Sequence, residues 1–502
     1  DQVKVKCHTL FWHNLSQQPE AFFHEGFSNS RPWASKEVML ARIDSYIQKV
    51  FERFAPYKDI IYSWDVVNEA LDDFSGFLRN ENDYQESRWG RIFKRPDITD
   101  REQRLWEETV WVRKAFESAA KYNNEYDLGL TLVYNDFFDA NKDYEPKLTS
   151  NIIMLRPIYE QMKRDGVTFV VGLQNRNATS LDLDVFIDMY NRYSEVCDEF
   201  QTTESDCRSD YVANPNYSRD ALPYYLEDGI TKNPNWTYSA WQNTPNAQVA
   251  LVREGWTASM ANRPEIQREQ ADWLADQFDF LLENSKGNGG KLAMYMLDGV
   301  NDSSTFNSNK GCHIFMAADS SGNTANTAKM SYYAIIGSVP RFEIRKLLEK
   351  APTDDLKDNF TPQSWNKFAQ ARQAAQEILD VRIYDLDGYN NARNALNALT
   401  EAVNDLVDVE ASLTEIKVNG TPLPDFSPEI REYNCAVPAG SLPVVEATGA
   451  DENSPVTVTQ VTELPGKAVI TVSSSDGSRQ TTYIINFSVD TSLSSLKVDG
   501  IP

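Results

Sequence analysis

The chain is 502 residues long, with a formal net charge of −25 and a pI near 4.6. That length exceeds what one ordinary hydrophobic core supports and predicts roughly two to four domains. A surface so acidic repels phosphate backbones and anionic lipid headgroups, which excludes nucleic acid and membrane surfaces as natural partners, and no apolar run approaches the length that crosses a bilayer. Aromatic residues, 12% of the chain, suit either a large aromatic core or the stacking of sugar rings.

Residues 3–12 (VKVKCHTLFW) read as a strand already under way, and the far end stops just after a strand-like start at Asp499-Gly500-Ile501-Pro502. Both ends are therefore expected to be cuts, so the lack of a signal peptide carries no information. From residue 1 to 345, short β-rich apolar runs alternate with amphipathic stretches. Strands are predicted at 3–11, 60–67, 129–135, 168–173, 199–203 and 291–297, and helices at 37–54, 107–121, 183–196 and 267–284. This alternation predicts an α/β architecture, a parallel sheet or a βα barrel. Six units are visible, so a (β/α)8 TIM barrel would have its first two βα units upstream of Asp1, and six units alone would leave open sheet edges. The long connections at 74–105 and 207–265 are expected to be lids or cleft walls. The second carries Trp236, Trp241 and Trp256, which read either as sugar-stacking platforms or as plugs holding a long loop down.

Five cysteines (Cys7, Cys197, Cys207, Cys312, Cys435) stand far apart without C-x-x-C spacing and outline neither a zinc site nor a disulfide scaffold. A Cys197–Cys207 bridge in a secreted chain and buried thiols are the two readings left open. No cofactor or metal is expected.

Character changes at residues 346–409. Thr361-Pro362-Gln363-Ser364-Trp365 supplies a capping residue and an N1 proline, Ala-rich helical text follows, and a second helix is predicted near 388–407. With the preceding stretch this makes a three-helix module that resembles the FIVAR spacer of bacterial surface proteins. Asp385-Leu386-Asp387-Gly388 reads as a turn and helix cap in preference to a calcium loop, whose other ligands are absent from the sequence. Residues 411–490 turn to Val, Thr, Ser, Pro and Gly, with alternating runs that predict an all-β sandwich. Leu413-Thr414-Glu415-Ile416-Lys417-Val418-Asn419-Gly420 recurs as Leu493-Ser494-Ser495-Leu496-Lys497-Val498-Asp499-Gly500, so a second sandwich repeat is expected to start within 491–502. The sandwich resembles the cadherin-like spacer modules of bacterial surface enzymes.

The chemistry concentrates at Trp64-Asp65-Val66-Val67-Asn68-Glu69-Ala70, a strand with Asn68 and Glu69 at its C-terminal end, where βα barrels carry their catalytic groups. This text resembles the acid/base motif of glycoside hydrolase family 10, best known for endo-β-1,4-xylanases. His8-Thr9-Leu10-Phe11-Trp12-His13 resembles that family's third-strand motif, whose last His contacts sugar beside the cleavage point. Phe200-Gln201-Thr202-Thr203-Glu204-Ser205-Asp206 resembles the Thr-Glu-x-Asp setting of the nucleophile, and Tyr134-Asn135-Asp136 and Gly172-Leu173-Gln174 match the family in order. The resemblance spans residues 1–345 and implies Glu69 as acid/base and Glu204 as nucleophile. It also implies that His13, Asn68, Asn135 and Gln174 bind substrate, with Asn68 on the sugar 2-OH; a strand-end cap is the other reading of Asn68.

Retaining cleavage divides the labour between the two carboxyls. One is protonated to donate to the leaving oxygen, and the other is ionised to attack the anomeric carbon. Two departures from the family pattern stand out. Where it places Gln-x-His against the nucleophile, this chain has Gln174-Asn175-Arg176, and Arg176 is expected to bridge Glu204 and Asp206 and keep Glu204 ionised. Where it roofs the −1 sugar with two Trp, this chain has Asp298 and, further on, Phe306, which loosens the lid and leaves a polar acceptor near the sugar. The expected function is a retaining glycosidase on xylan, a decorated xylan or another β-linked glycan. It would be secreted or carried on a bacterial cell surface, with the C-terminal modules serving for surface attachment. The rival from another class is a non-catalytic glycan-binding surface protein, and a purely structural spacer fits only residues 350–502.

Overall fold

A computed structural model describes residues 3–72, 75–79, 87–137, 145–179, 181–208, 264–297, 312–316, 327–475, 477 and 479–490. The chain forms two compact units, residues 1–338 with 383–386, and residues 339–382 with 387–502.

In the first unit the apolar runs become strands and the amphipathic stretches helices. In chain order these are β1 (Val5–Cys7), α1 (Lys36–Phe54), β2 (Ile61–Asn68), α2 (Arg88–Phe93), α3 (Arg101–Glu108), α4 (Val110–Glu125), β3 (Thr131–Asp136), α5 (Glu145–Asp165), β4 (Phe169–Leu173), β5 (Arg176–Ala178), α6 (Leu183–Ser194), β6 (Glu199–Arg208), a helix at Pro264–Glu283 and β7 (Leu292–Leu297). The strands make one parallel sheet in the order β1-β2-β3-β4-β6-β5, with β7 also pairing β6. It is a half-barrel sheet of the TIM-barrel type. β4 is buried along its whole length and β3 beyond its first residue, as expected of parallel strands covered on both faces. In α1, Met39, Ile43, Ile47 and Phe51 recur at four-residue spacing and are fully buried, and the Ser35 side chain caps the helix by accepting the Val38 N–H.

The sheet register sets the site. Asn68 on β2 lies opposite Asn135 on β3, Asn135 opposite Gly172 on β4, and Gly172 opposite Gln201 on β6, so the C-terminal strand ends stand in one row. Some expectations needed correction. The single helix predicted over 107–121 is two, α3 and α4, which part at Thr109, where the backbone leaves the helical region and the hydroxyl turns back to the Leu105 carbonyl at 2.6 Å. The strand predicted over 199–203 runs on to Arg208 and pairs with β5, a strand of three residues that carries no apolar run. A Cys197–Cys207 bridge is ruled out by β6 itself. Cys207 is the next-to-last residue of β6 and Cys197 lies two residues before its start, so about 3.3 Å per residue along the extended strand carries Cys207 far beyond disulfide reach. Cys197 is instead a buried thiol, pushed up to about 12 by its burial.

In the second unit, helices at Pro362–Leu379 and Leu386–Asn404 enclose a small core of Ile344, Trp365, Phe368, Ala375, Ala395, Leu399 and Ala402. The Thr361 hydroxyl caps the first helix by accepting the Ser364 N–H, and Pro362 takes the N1 position. The Asp385-Leu386-Asp387-Gly388 text opens the second helix. Beyond residue 411 a three-stranded sheet, β11 (Val445–Gly449), β8 (Leu413–Val418) and β9 (Thr421–Pro422), faces a four-stranded one of β10 (Glu432–Val437), β14 (Gln480–Val489), β13 (Gly466–Ser473) and β12 (Val456–Thr459). Alternate residues of β13 and β14, among them Ile470, Val472, Tyr483 and Ile485, point into the core between the sheets. Residues 491–502 lie outside the described residues, and with them the expected second repeat.

Candidate active site

Two clusters of side chains gather at the row of strand ends. The first surrounds Glu69, the residue after β2, which is 7% exposed. Its Oε2 accepts the Trp12 indole N–H at 2.9 Å and lies 3.0 Å from His13 Nε2, and its Oε1 accepts from Gln174 Nε2 at 2.6 Å. Asn68 carries the network sideways. Its Oδ1 accepts from Asn135 Nδ2 at 3.0 Å and from Gln174 Nε2 at 3.4 Å. Asn135 Oδ1 in turn accepts the Thr203 hydroxyl at 2.7 Å, which ties β3 to the residue preceding Glu204 on β6. Five of the residues singled out in the sequence, His13, Asn68, Glu69, Asn135 and Gln174, thus belong to one hydrogen-bonded network.

The second cluster centres on Arg176, whose guanidinium bridges Glu204 Oε2 through Nη2 and Asp206 Oδ2 through Nη1, the latter at 3.0 Å. Its geometry follows from Asn175, which sits at φ +57, in the left-handed region that Asn tolerates. The Asn175 amide spans Ser205 Oγ at 2.7 Å and Gln277 at 2.8 Å, which fixes a kink between β4 and β5 while both run parallel to β6. Gln174 then points at Glu69 and Arg176 at Glu204. The bridge expected from the sequence is present.

The carboxylates have contrasting surroundings. Burial alone would push the Glu69 carboxyl up. His13 by hydrogen bond and charge, with Gln174 and Trp12, outweighs it and holds Glu69 down to about 2. The side chain of Glu204 is 27% exposed and has a permanent cation against it. An acid protonated at rest, as the family resemblance implies for Glu69, is therefore not what the donor set around Glu69 favours. Of the three neighbours, Trp12 can only donate and Gln174 presents its Nε2 donor, whereas His13 Nε2 donates or accepts according to its tautomer. Glu69 can carry a proton on Oε2 when His13 Nε2 accepts.

Two buried polar atoms in the first cluster, Asn68 Nδ2 and His13 Nδ1, have no hydrogen-bond partner among the described residues. Asn68 Nδ2 is the donor left over once its Oδ1 is occupied, and it stands one residue from Glu69. Two further residues singled out in the sequence, Asp298 and Phe306, lie outside the described residues, as do Trp236, Trp241 and Trp256. Two partners of Glu69 were not singled out as site residues, Trp12 on its carboxylate and Arg79, whose Nε donates to the Glu69 carbonyl at 3.0 Å, nor was Tyr134, whose hydroxyl accepts the N–H of the next residue, Ala70, at 3.2 Å. Trp12 and Tyr134 had a signal, each standing beside a singled-out residue in a quoted motif, and Arg79 had none.

Residues 1–227, which include the stretch from β1 through β6 that carries both carboxylates, match the family model of Glycosyl hydrolase family 10. The chain is 31% identical over 206 residues to a putative endo-1,4-beta-xylanase of Caldicellulosiruptor saccharolyticus, a match covering 40% of this chain and 57% of that protein. It is 35% identical over 171 residues to endo-1,4-beta-xylanase B of Butyrivibrio fibrisolvens, covering 33% of this chain and 22% of that one. The chain therefore spans about half or less of the length of these relatives. Among solved structures it resembles the xylohexaose complex of the CBM22-1–GH10 modules of Clostridium thermocellum Xyn10B, with a TM-score of 0.43 and 21% identity over 66% of this chain and 52% of that one. A bacterial Ig-like domain containing GH10 xylanase from termite gut gives a TM-score of 0.44 and 19% identity over 68% and 61% of the two chains.

Proposed function

We propose that the protein is a retaining glycoside hydrolase that cleaves β-1,4-xylosidic linkages in xylan or a decorated xylan, with Glu204 as nucleophile and Glu69 as acid/base. The observation that carries this reading is the placing of two carboxylates, Glu69 directly after β2 and Glu204 on β6, on one parallel sheet inside the stretch that matches family 10. Arg176 keeps Glu204 ionised for attack on the anomeric carbon, and Asp206 fixes the guanidinium. Glu69, protonated while His13 Nε2 accepts, gives its proton to the departing oxygen. It then deprotonates the water that releases the sugar from Glu204. Asn68 Nδ2 is the donor available for a sugar hydroxyl beside the scissile bond, with Asn135 and Gln174 holding its amide in place. Asp298 and Phe306 are assigned to the −1 subsite on the sequence match alone.

The three-helix and sandwich parts are read as FIVAR-like and cadherin-like spacers of a secreted or surface-attached bacterial enzyme. The helical core around Trp365 and the two-sheet core around Ile470 support that assignment. Among the described residues no helix is long and apolar enough to cross a membrane.

One observation favours a second reading, a glycan-binding protein without turnover. His13, Gln174 and Trp12 together lower the Glu69 carboxyl and the Arg176 guanidinium faces Glu204, an arrangement that suits binding of hydroxyl groups as well as catalysis. Product analysis by mass spectrometry decides between the two. The protein and its Glu204→Ala variant are incubated with xylan, decorated xylan and other β-glycan oligosaccharides. Cleavage of one of them by the parent alone, with the β-anomer formed first in proton NMR, establishes the retaining glycosidase. Equal binding by both proteins without any cleavage moves the assignment to the glycan binder.

A further inference from the structure

Glu69 adopts φ +51, a left-handed backbone that costs a non-glycine residue roughly 1–2 kcal/mol. Three contacts hold it there. Its own N–H donates to the Asn135 carbonyl at 3.0 Å, its carbonyl accepts from Arg79 Nε at 3.0 Å, and the following N–H, of Ala70, donates to the Tyr134 hydroxyl at 3.2 Å. The third depends on residues that touch neither carboxylate. The one proton of the Tyr134 hydroxyl is committed to Asp136 Oδ2 at 2.8 Å, which leaves an oxygen lone pair for Ala70. Asp136 is fixed by Lys147, whose Nζ donates to Oδ1 at 2.8 Å, and by the Phe137 N–H at 2.9 Å. Tyr134, Asp136 and Lys147 are all fully buried. A buried ion pair is a poor source of stability. Here its geometry turns a tyrosine hydroxyl into an acceptor aimed at the bond that follows Glu69.

We propose that Tyr134, Asp136 and Lys147 form a positioning relay that holds the Glu69–Ala70 peptide in its left-handed turn, and so directs the Glu69 carboxyl at the leaving-group oxygen. The inference rests on the proposed role of Glu69 as the acid. A relay that acts only through the acid predicts a loss that depends on the leaving group. A sugar leaving group needs the proton, whereas a nitrophenolate departs without one.

The test uses the full chain and Tyr134→Phe, which removes one hydroxyl and leaves the buried ion pair in place. On a xylo-oligosaccharide, kcat/KM is expected to fall by roughly 10- to 100-fold, while on a nitrophenyl β-xylobioside kcat/KM, which reports the glycosylation step and not the later attack of water, falls less than about threefold. The Ala70 amide is expected to exchange with solvent faster while the Asn68 amide, bonded within the sheet, does not change. Equal losses on both substrates, or an unchanged rate on the oligosaccharide, overturn the relay and leave Tyr134 a packing residue. If the parent cleaves neither substrate, the glycosidase reading fails. The relay is then decided by exchange alone: protection of Ala70 lost in Tyr134→Phe supports it, and protection kept overturns it.

Discussion

Arg176 is the residue whose chemistry departs furthest from the family pattern, because a guanidinium stays charged at every working pH where a histidine does not. Its bridge to Glu204 and Asp206 places the cation on the carboxylate proposed as the nucleophile, a role that needs the anionic form. Removing it withdraws a favourable charge from the ionised form, so Arg176→Met should move the acidic limb of the pH–rate profile to higher pH. An acidic limb that stays in place would show that Arg176 only fastens β5 to β6. Glu69 gives a second titration, this one in stability. Its carboxyl is held at about 2 in the folded protein against 4.5 as the ordinary value, so between those limits the unfolded chain binds more protons. The contribution of ionised Glu69, on the order of 3 kcal/mol, is fully present above about pH 4.5 and is lost as pH falls toward 2. Urea midpoints measured across that window should fall less steeply in Glu69→Gln than in the parent. Parallel slopes would mean that the donors around Glu69 do not favour its ionised form.

At the scale of the elements, β4 shows how a strand serves the site without contributing a charge. A Cβ on Gly172 would lie 2.6 Å from Asn135 Oδ1, 2.9 Å from Val133 Cγ1 and 3.2 Å from Thr203 Cγ2, so only glycine lets the Asn135 amide cross β4 to reach Thr203. Gly172→Ala should cost about 1–3 kcal/mol by overpacking and slow hydrolysis by displacing the amide that holds Asn68. In a double-mutant cycle by urea denaturation, Asn135→Ala should recover part of that loss, and strict additivity would sink the explanation. The four strands β2, β3, β4 and β7 were legible because apolar residues dominate each, and β2, β3 and β4 are buried almost throughout, as parallel strands covered on both faces are. Strand β5, Arg-Asn-Ala, was not, since only its pairing with the end of β6 makes it a strand. Helix α5 carries Pro146 and Pro157, which interrupt the pattern by which a helix is read. The site divides in the same way. Glu69, Glu204, Arg176 and Trp12 stand in short motifs, whereas Arg79 and Lys147 are isolated basic residues until the fold brings them to the turn.

For the whole molecule, the two compact units have separate cores, one built on the parallel sheet and the other on the small helical cluster and the sandwich. Separate cores predict that unfolding is not a single two-state step. The tryptophans make the units distinguishable: of the 11 in the chain only Trp365 follows residue 338, so indole fluorescence follows the first unit almost alone. Far-UV circular dichroism follows both, because the second unit contributes its own helices and strands. The two probes should therefore give non-coincident urea transitions. Ile470, fully buried between the sheets of the sandwich, assigns them. Ile470→Ala should remove about 2–5 kcal/mol from the sandwich and shift the dichroism transition of the second unit to lower urea. The fluorescence midpoint and hydrolysis at Glu69 and Glu204 should stay where they were, because no residue of the site draws on that core. Coincident transitions that move together in Ile470→Ala would instead make the C-terminal region part of one cooperative fold with the domain that carries the site.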